Sequence, residues 1–380
     1  MKSKNTVLVV AGEASGDMHA ANLISELRVS RPDLLFFGMG GERMRAAGVE
    51  LTISHKDLSV VGFTEVISKL GTIRRAMSDL YKEAVRRRPG IALLVDYPGF
   101  NLRFAKLIRS MVPRIVYYIG PQVWAWGSWR AASVSKLCDA LISVIPFECS
   151  MYKGSGLECH FVGHPVLDLV KPSLTGEEFR SKFGIPNGQL VGIVPGSRKE
   201  EVKRILPVML RSADLIMHEM KETSFAISVA ETIDADSVRS MCKNSLDNAK
   251  VVEGCTHDLM QASDLLMVAS GTATLEAAVL GRPMSIVYRT SPLTWLLAKG
   301  LVKVRSVGLV NIIAGKRVVP ELIQHNATPE KISGEILSLV RDKARLALME
   351  RDLAAVRRRL GEPGASSRAA RIVSEVSQAL

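Results

Sequence analysis

A chain of 380 residues, 47% hydrophobic and 23% charged, is too long for one ordinary core and too apolar for disorder. Two globular domains of about 150 to 200 residues each are expected. The formal net charge of +12 points to an anionic partner, with nucleic acid, an anionic membrane and a phosphorylated substrate all in play.

The basic start leads into TVLVVAG, an apolar run of about seven residues broken at Gly12 and Glu13, which reads as a first strand rather than a signal peptide. Nowhere does the chain offer the roughly 18 uninterrupted apolar residues of a membrane span, so a cytoplasmic protein is expected, with a membrane surface still open to it. Gly12, Glu13, Ser15, Gly16 and Asp17 then form the turn into the first helix. The turn lacks the P-loop ending and the dinucleotide spacing, and its two acids would repel a phosphate. It is read as a loop that binds hydroxyls or hands over protons, the alternative being that Asp17 only caps its helix.

LLFFGMG is the next strand, and the stretch 59–88 is an amphipathic helix with Val61, Phe63, Val66, Ile67, Leu70, Ile73 and Met77 on its apolar side. That side suits a core or, with its basic flanks, a membrane interface. IALLV is a buried strand that delivers Asp96 into a Pro-Gly turn. A carboxylate there needs a partner or a task, because desolvating it alone is costly; the plain alternative is an Asp96 that caps the next helix with Asn101 sharing the duty. RIVYYIG and ALISVIP follow as strands. Between them Trp124, Trp126 and Trp129 cluster, fit for the core or for stacking on sugar rings and acyl chains.

A polar, proline-bearing linker (FVGHPVLDLVKPSLTGEE) precedes a second series of strand-like runs: QLVGIVPGS, SFAISVA, KVVEG, DLLMVAS and RPMSIVY. Strands alternating with amphipathic stretches give α/β architecture with parallel sheets, in two doubly wound domains facing a cleft whose ligands bind beyond the carboxyl ends of the strands. The boundaries are set at 1–165 and 166–355, with closing C-terminal helices over 356–380. Arg357, Arg358 and Arg359 are read as a solvated face.

In VPGSRKEEV a strand, a turn and a helix start bring Ser197 and Arg198 together, an arrangement suited to a diphosphate; the alternative pairs Arg198 with Glu200 or Glu201. SGTATLE repeats the device, with Ser270, Gly271 and Thr272 as donors and Glu276 one turn on, placed for the hydroxyls of a ribose. No acid occurs from Ala277 to Pro320, while Arg282, Arg289, Lys299, Lys303, Arg305, Lys316 and Arg317 do, a field for an anionic substrate or phospholipid surface. These basic residues are not interleaved with stacking aromatics, so nucleic acid is not expected. Five cysteines, odd in number and without CxxC spacing, suggest neither a disulfide framework nor a zinc ribbon, and the compartment is read as reducing. The histidines show no metal spacing, and His19 and His164 are left out of the catalytic set.

The ordered set AGEASGD, VGFTEV, DYPGFN, PQVWAW, PFE, FVGHP, PGSRKEEV, SGTATLE and WLLAKGLVKVRSVGLVNIIAG resembles the lipid-A-disaccharide synthases, inverting glycosyltransferases of the two-Rossmann-domain GT-B class, from residue 11 to about 315. The resemblance implies an acylated UDP-sugar donor (UDP-2,3-diacylglucosamine), an acylated sugar-phosphate acceptor (2,3-diacylglucosamine 1-phosphate), a β-1,6 linkage and release of UDP. By position, Asp96 and Arg198 match residues on which activity depends in the family, and Asn311 matches one near the nucleotide diphosphate. The chain departs from some members at Tyr97 and Gly99, where they carry Ala and Asp. An inverting displacement needs a base for the acceptor hydroxyl; Asp96 is the first candidate and Glu13 the second. Neither a metal nor another cofactor is expected. The resemblance further implies a peripheral protein on the cytoplasmic face of the inner membrane, touching its lipids; exchange of C-terminal helices would make it a homodimer. Other readings are a different UDP-sugar enzyme on this architecture, an N-acetylglucosaminyltransferase or UDP-N-acetylglucosamine epimerase, and a basic nucleotide- or nucleic-acid-binding protein.

Overall fold

The structure, a computed structural model, describes residues 3–55, 70–125, 129–243, 246, 249–291, 295 and 306–378. Val61, Phe63, Val66, Ile67, Trp126, Lys299, Lys303 and Arg305, singled out above, lie outside the described residues.

Among those residues the chain divides into two compact units. One takes the chain up to Pro165 and again from Gly361, and the other runs from Val166 to Leu360. The second crossing follows a helix that continues through residue 356, where the sequence reading cut, to Arg359.

The first unit is built on seven parallel strands: β1 (Ser3–Ala11), β2 (Leu35–Gly40), β3 (Val49–Ser54), β4 (Pro89–Val95), β5 (Arg114–Tyr118), β6 (Ala140–Ser143) and β7 (Glu158–Phe161). Their spatial order is β3-β2-β1-β4-β5-β6-β7, so the direction of winding reverses between β1 and β4. Register aligns Ala11 with Val95, Val95 with Tyr118 and Tyr118 with Ile142, which brings Gly12, Asp96, Ile119 and Ser143 to one rim. β4 is buried at every residue, as expected of a central strand covered on both faces. Its helices are α1 (Ala14–Ser30), α2 (Glu42–Ala46), α3 (Leu70–Arg87), α4 (Pro98–Ile108) and α5 (Trp129–Leu137). Ile73, Ala76, Met77 and Leu80 on α3 pack into the core of this unit, while Arg74 and Arg75 stay exposed.

The second unit has six parallel strands: β8 (Leu190–Val194), β9 (Ser224–Val229), β10 (Lys250–Glu253), β11 (Leu265–Ala269), β12 (Met284–Tyr288) and β13 (Glu321–Ile323). The order is β10-β9-β8-β11-β12-β13, reversing between β8 and β11. Its helices are α6 (Val166–Leu169), α7 (Gly176–Phe183), α8 (Lys199–Glu219), α9 (Ala235–Lys243), α10 (Thr256–Ala262), α11 (Ala273–Val279), α12 (Leu309–Ala314), α13 (Pro329–Arg341) and α14 (Lys343–Arg359). Arg357, Arg358 and Arg359 are all exposed, as read from the sequence, and Arg359 also donates to the Ile313 and Ala314 carbonyls at the end of α12.

The last helix, α15 (Ala365–Gln378), belongs to the first unit. It buries Ala365, Ala369, Ala370 and Val373 on one face, packs on α1, and its Ser377 hydroxyl accepts from Arg31 Nη1 at 2.8 Å. One expectation from the cysteines is corrected. Cys149 and Cys159 form a disulfide with Cα atoms 5.3 Å apart, because the 3₁₀ turn Glu148–Tyr152 lies beside β7. A separation of ten residues without a CxxC pattern carried no signal of it.

Candidate active site

In open parallel sheets, ligands bind outside the carboxyl ends of the strands where the winding reverses. At the β1/β4 reversal of the first unit stand the turn after Ala11 and the turn after Val95. Glu13 is exposed and is the N-cap of α1, which no side chain caps. Asp17 does not cap its own helix. It is buried, 4% exposed, and its carboxylate accepts the backbone N–H groups of Gly41 at 2.7 Å, Met44 at 3.1 Å and Arg43 at 3.2 Å. It therefore stabilises the start of the neighbouring α2, and the even choice left by the sequence is resolved toward structure.

Asp96 and Tyr97 adopt left-handed backbone conformations, φ 48° and 49°, at two successive non-glycine residues. Such residues cost of order 1–3 kcal/mol each, Asp at the lower end, and collect at functional sites. The Asp96 carbonyl is fixed by Asn101 Nδ2 at 2.7 Å and by the Tyr117 hydroxyl at 2.8 Å, and its N–H by the Tyr118 carbonyl at 3.0 Å. Tyr97, not Asp96, is the N-cap of α4, and no side chain caps that helix. The capping explanation for Asp96 therefore fails, and Asn101 faces back to brace the turn. Burial and then the Asp96 charge hold the Tyr117 hydroxyl well above its ordinary pKa, so it stays a donor.

Glu13 and Asp96 are linked through Tyr97. The ring lies so close to Gly12 that a Cβ there would meet Tyr97 Cδ1 at 2.1 Å. Burial, and secondly the charge of Glu13, raise the Tyr97 pKa. Ile119, next along the same rim, is also left-handed at φ 58°, a marked exception for a β-branched residue.

At the β8/β11 reversal of the second unit stand the turns after Val194 and Ala269. Arg198 is the exposed N-cap of the 21-residue α8, and no side chain caps that helix, so its first turn offers backbone N–H groups to an anion. Thr232 Oγ1 donates to the Ser197 carbonyl at 2.5 Å and holds the turn. Glu200 is engaged by Lys203 at 3.4 Å and Arg204 at 3.7 Å. Glu201 packs under Gly196; burial raises its pKa while the Arg198 charge pulls the other way. Of the two acids considered for Arg198, Glu201 is thus the one its charge reaches.

Ser270 Oγ donates to the Val307 carbonyl at 3.2 Å, Gly271 and Thr272 are exposed, and Glu276 lies 3.4 Å from His257 Nε2. Asn311 is corrected in its role. It is 2% exposed, its Oδ1 accepts from the N–H groups of Val318 and Val319, and its Nδ2 donates to Val319 O and Glu321 Oε1. Every position of its amide is used within the unit, so it braces a loop and has no direct contact left for a diphosphate. Among the described residues no group of three or more His, Cys, Asp or Glu side chains is gathered for a metal.

The lipid-A-disaccharide synthetase family profile matches residues 7–376. The chain belongs to that family. A lipid-A-disaccharide synthase of Trichlorobacter lovleyi is 42% identical over 97% of this chain and 96% of its own length. The fold is also that of a UDP-N-acetylglucosamine 2-epimerase from Neisseria meningitidis solved with UDP-GlcNAc, with TM-score 0.62, 13% identity and 99% and 100% of the two chains covered. The kitacinnamycin glycosyltransferase matches with TM-score 0.62 and 14% identity over 98% of each chain. At such identities these two speak for the GT-B architecture alone.

Of the buried acids that sequence reasoning passed over in this family member, two bear on the strand ends and loops described above. Glu148, of the PFE motif, is 2% exposed at the carboxyl end of β6 and bonded to Ser143 Oγ. Burial pushes its pKa up to about 7 against the pull of that hydrogen bond. Ser143 Oγ also lies 3.0 Å from the Ile145 carbonyl and accepts from Ile145 N–H at 3.1 Å. One hydroxyl proton cannot serve both Ile145 O and a carboxylate, so a protonated Glu148 that donates to Ser143 satisfies the set. Next in chain, Phe147 meets the Trp124 ring edge-on at 5.6 Å, which gives that tryptophan a packing role on the same rim. Glu321, the other acid, is taken up below. The signal that could have found both was a lone acid beside an apolar strand run, the same signal that picked out Asp96.

Proposed function

We propose that this protein transfers the diacylglucosamine of a UDP-2,3-diacylglucosamine donor to the 6-hydroxyl of 2,3-diacylglucosamine 1-phosphate, forming the β-1,6 disaccharide and releasing UDP in lipid A biosynthesis. The observation that carries the reading is Asp96, held in a strained and fully braced turn at the winding reversal of a chain from this family. Asp96 takes the proton of the attacking hydroxyl, and Glu13, which acts on the intervening Tyr97, is the alternative base. The second unit binds the UDP-sugar: Ser197, Arg198 and the N terminus of α8 meet the diphosphate as its charge grows, Gly271 and Thr272 add donors, and Glu276 takes ribose hydroxyls. No metal or cofactor is assigned a step. Acyl chains on both substrates place the enzyme at the cytoplasmic face of the inner membrane. No described helix is long and apolar enough to cross one.

The test follows UDP release from UDP-2,3-diacylglucosamine with and without the acceptor, with the lipid product weighed by mass spectrometry. Release that needs the acceptor and yields a disaccharide supports the reading; release without it, or release only from UDP-N-acetylglucosamine, sinks it. Asp96→Asn should keep UDP affinity and lower kcat by at least about 100-fold, the scale of a lost general base. If turnover survives, the base is Glu13 or another group. Flotation with anionic vesicles tests the membrane claim, and equal recovery with and without vesicles would refute it.

A further inference from the structure

Glu321 opens the short edge strand β13, opposite Ile286 of β12, and is only 8% exposed. Its carboxylate accepts three N–H donors: Val307 N to Oε2 at 3.0 Å, Gly308 N to Oε1 at 3.0 Å and Asn311 Nδ2 to Oε1 at 2.8 Å. Asn311 in turn ties down Val318 and Val319. Gly308 sits where no side chain fits, a Cβ there meeting Ile286 Cδ1 at 2.2 Å and Glu321 Oε1 at 3.2 Å. The backbone at 307–308 is thus clamped from one side by a buried charge and from the other by the sheet.

The clamp reaches the candidate site through one hydrogen bond. The Val307 carbonyl takes the proton of the Ser270 hydroxyl, at the β8/β11 reversal. A serine hydroxyl has one proton and two lone pairs. With its proton spent on Val307, Ser270 turns lone pairs to a ligand and can bind only a donor there, a hydroxyl or an N–H. A phosphate oxygen, which needs a donor, gains nothing from it.

We propose that Glu321 is a positioning residue of the nucleotide-sugar site: by clamping Val307 it fixes the Ser270 hydroxyl as an acceptor, which reads a ribose hydroxyl or a base N–H of the nucleoside rather than the diphosphate. This rests on the reading of the second unit as the UDP-sugar site. It departs from the sequence expectation, in which Ser270 was a donor beside Gly271 and Thr272.

The experiment measures binding of UDP, uridine and inorganic pyrophosphate by calorimetry to the full-length wild type, Ser270→Ala, Glu321→Gln and the double variant, with a thermal melt of each. Gln keeps the size of Glu321 but can accept through only one of its two atoms, so the clamp loosens. Ser270→Ala should weaken UDP and uridine alike by about three- to tenfold, the scale of one neutral hydrogen bond, and leave pyrophosphate unchanged. Glu321→Gln should weaken the same two ligands. The double variant should be no weaker than the worse single one, because both changes remove one interaction. A purely structural Glu321 would instead lower the melting temperature with ligand affinities unmoved. That result, additive losses, or a loss of pyrophosphate binding in Ser270→Ala would overturn the proposal alone. If Glu321→Gln does not fold, the half-exposed Ser270→Ala still decides the direction of the hydroxyl. Wild type that binds no UDP would overturn this proposal and the function reading together.

Discussion

Glu148→Gln should make the protein less sensitive to rising pH. The carboxyl goes from its usual 4.5 to about 7 in the fold, with burial as the main cause. A raised acid favours the folded state while it is protonated. Its contribution is whole below pH 4.5, shrinks as the unfolded chain ionises, and is gone once the pH passes about 7. A shift of that size corresponds to about 3 kcal/mol at most, since relaxation and water entry lessen it. Gln cannot ionise, and its amide N–H can donate to Ser143 Oγ as the protonated acid does. Urea unfolding of wild type and variant at half-unit steps from pH 4.5 to 8.5 isolates the term, because other titrating groups cancel in the difference. The variant should gain about 2–3 kcal/mol relative to wild type across that range, most steeply between pH 5 and 7. A difference that stays flat with pH would mean that Glu148 is ionised in the fold, and the proton count around Ser143 would be wrong.

Other outcomes follow from the same geometry. His164 is buried and His19 half-buried, with pKa values lowered to about 3 and about 4 chiefly by desolvation, and His19 adds to the depression of His164. Their contribution is present above pH 6.5 and lost as the pH falls toward 4, so His19→Asn should flatten the acid side of the stability curve, read by thermal melts from pH 7 to 4. Gly12→Ala should displace the Tyr97 ring and destabilise by about 1–3 kcal/mol with a loss of activity; Gly12→Ala combined with Tyr97→Ala should cost less than the sum of the two, and strict additivity would deny the contact. Asp17→Ala strips three backbone donors of their acceptor and should cost about 2–4 kcal/mol in urea unfolding, with no effect on UDP affinity.

Central strands announced themselves because β1, β4, β5, β8 and β11 must be apolar on both faces, and an unbroken apolar run is legible without neighbours. The strands that sequence reasoning missed are β3, β7 and β13, all at sheet edges. VELTIS, ECHF and ELI are short and partly solvated, so nothing in their composition separates them from loops. The same limit hid the Glu321–Asn311 brace, which exists only because β13 lies beside β12. Asp96 was legible as a charge at the end of a buried run. Its left-handed backbone was not, since that conformation depends on Tyr117, reached only through the pairing of β4 with β5.

The return of α15 to the first unit bears on how the protein is made. Arg31 and Ser377 are 346 positions apart, and the face of α1 that receives α15 stays bare until residues 365–378 have been made and have left the ribosome. Among the described residues the second unit takes everything from Val166 to Leu360, and it can close while the first still waits for α15. A chain cut short before Ala365 would then leave the first unit with an uncovered apolar face on α1, and such chains are what cellular quality control removes.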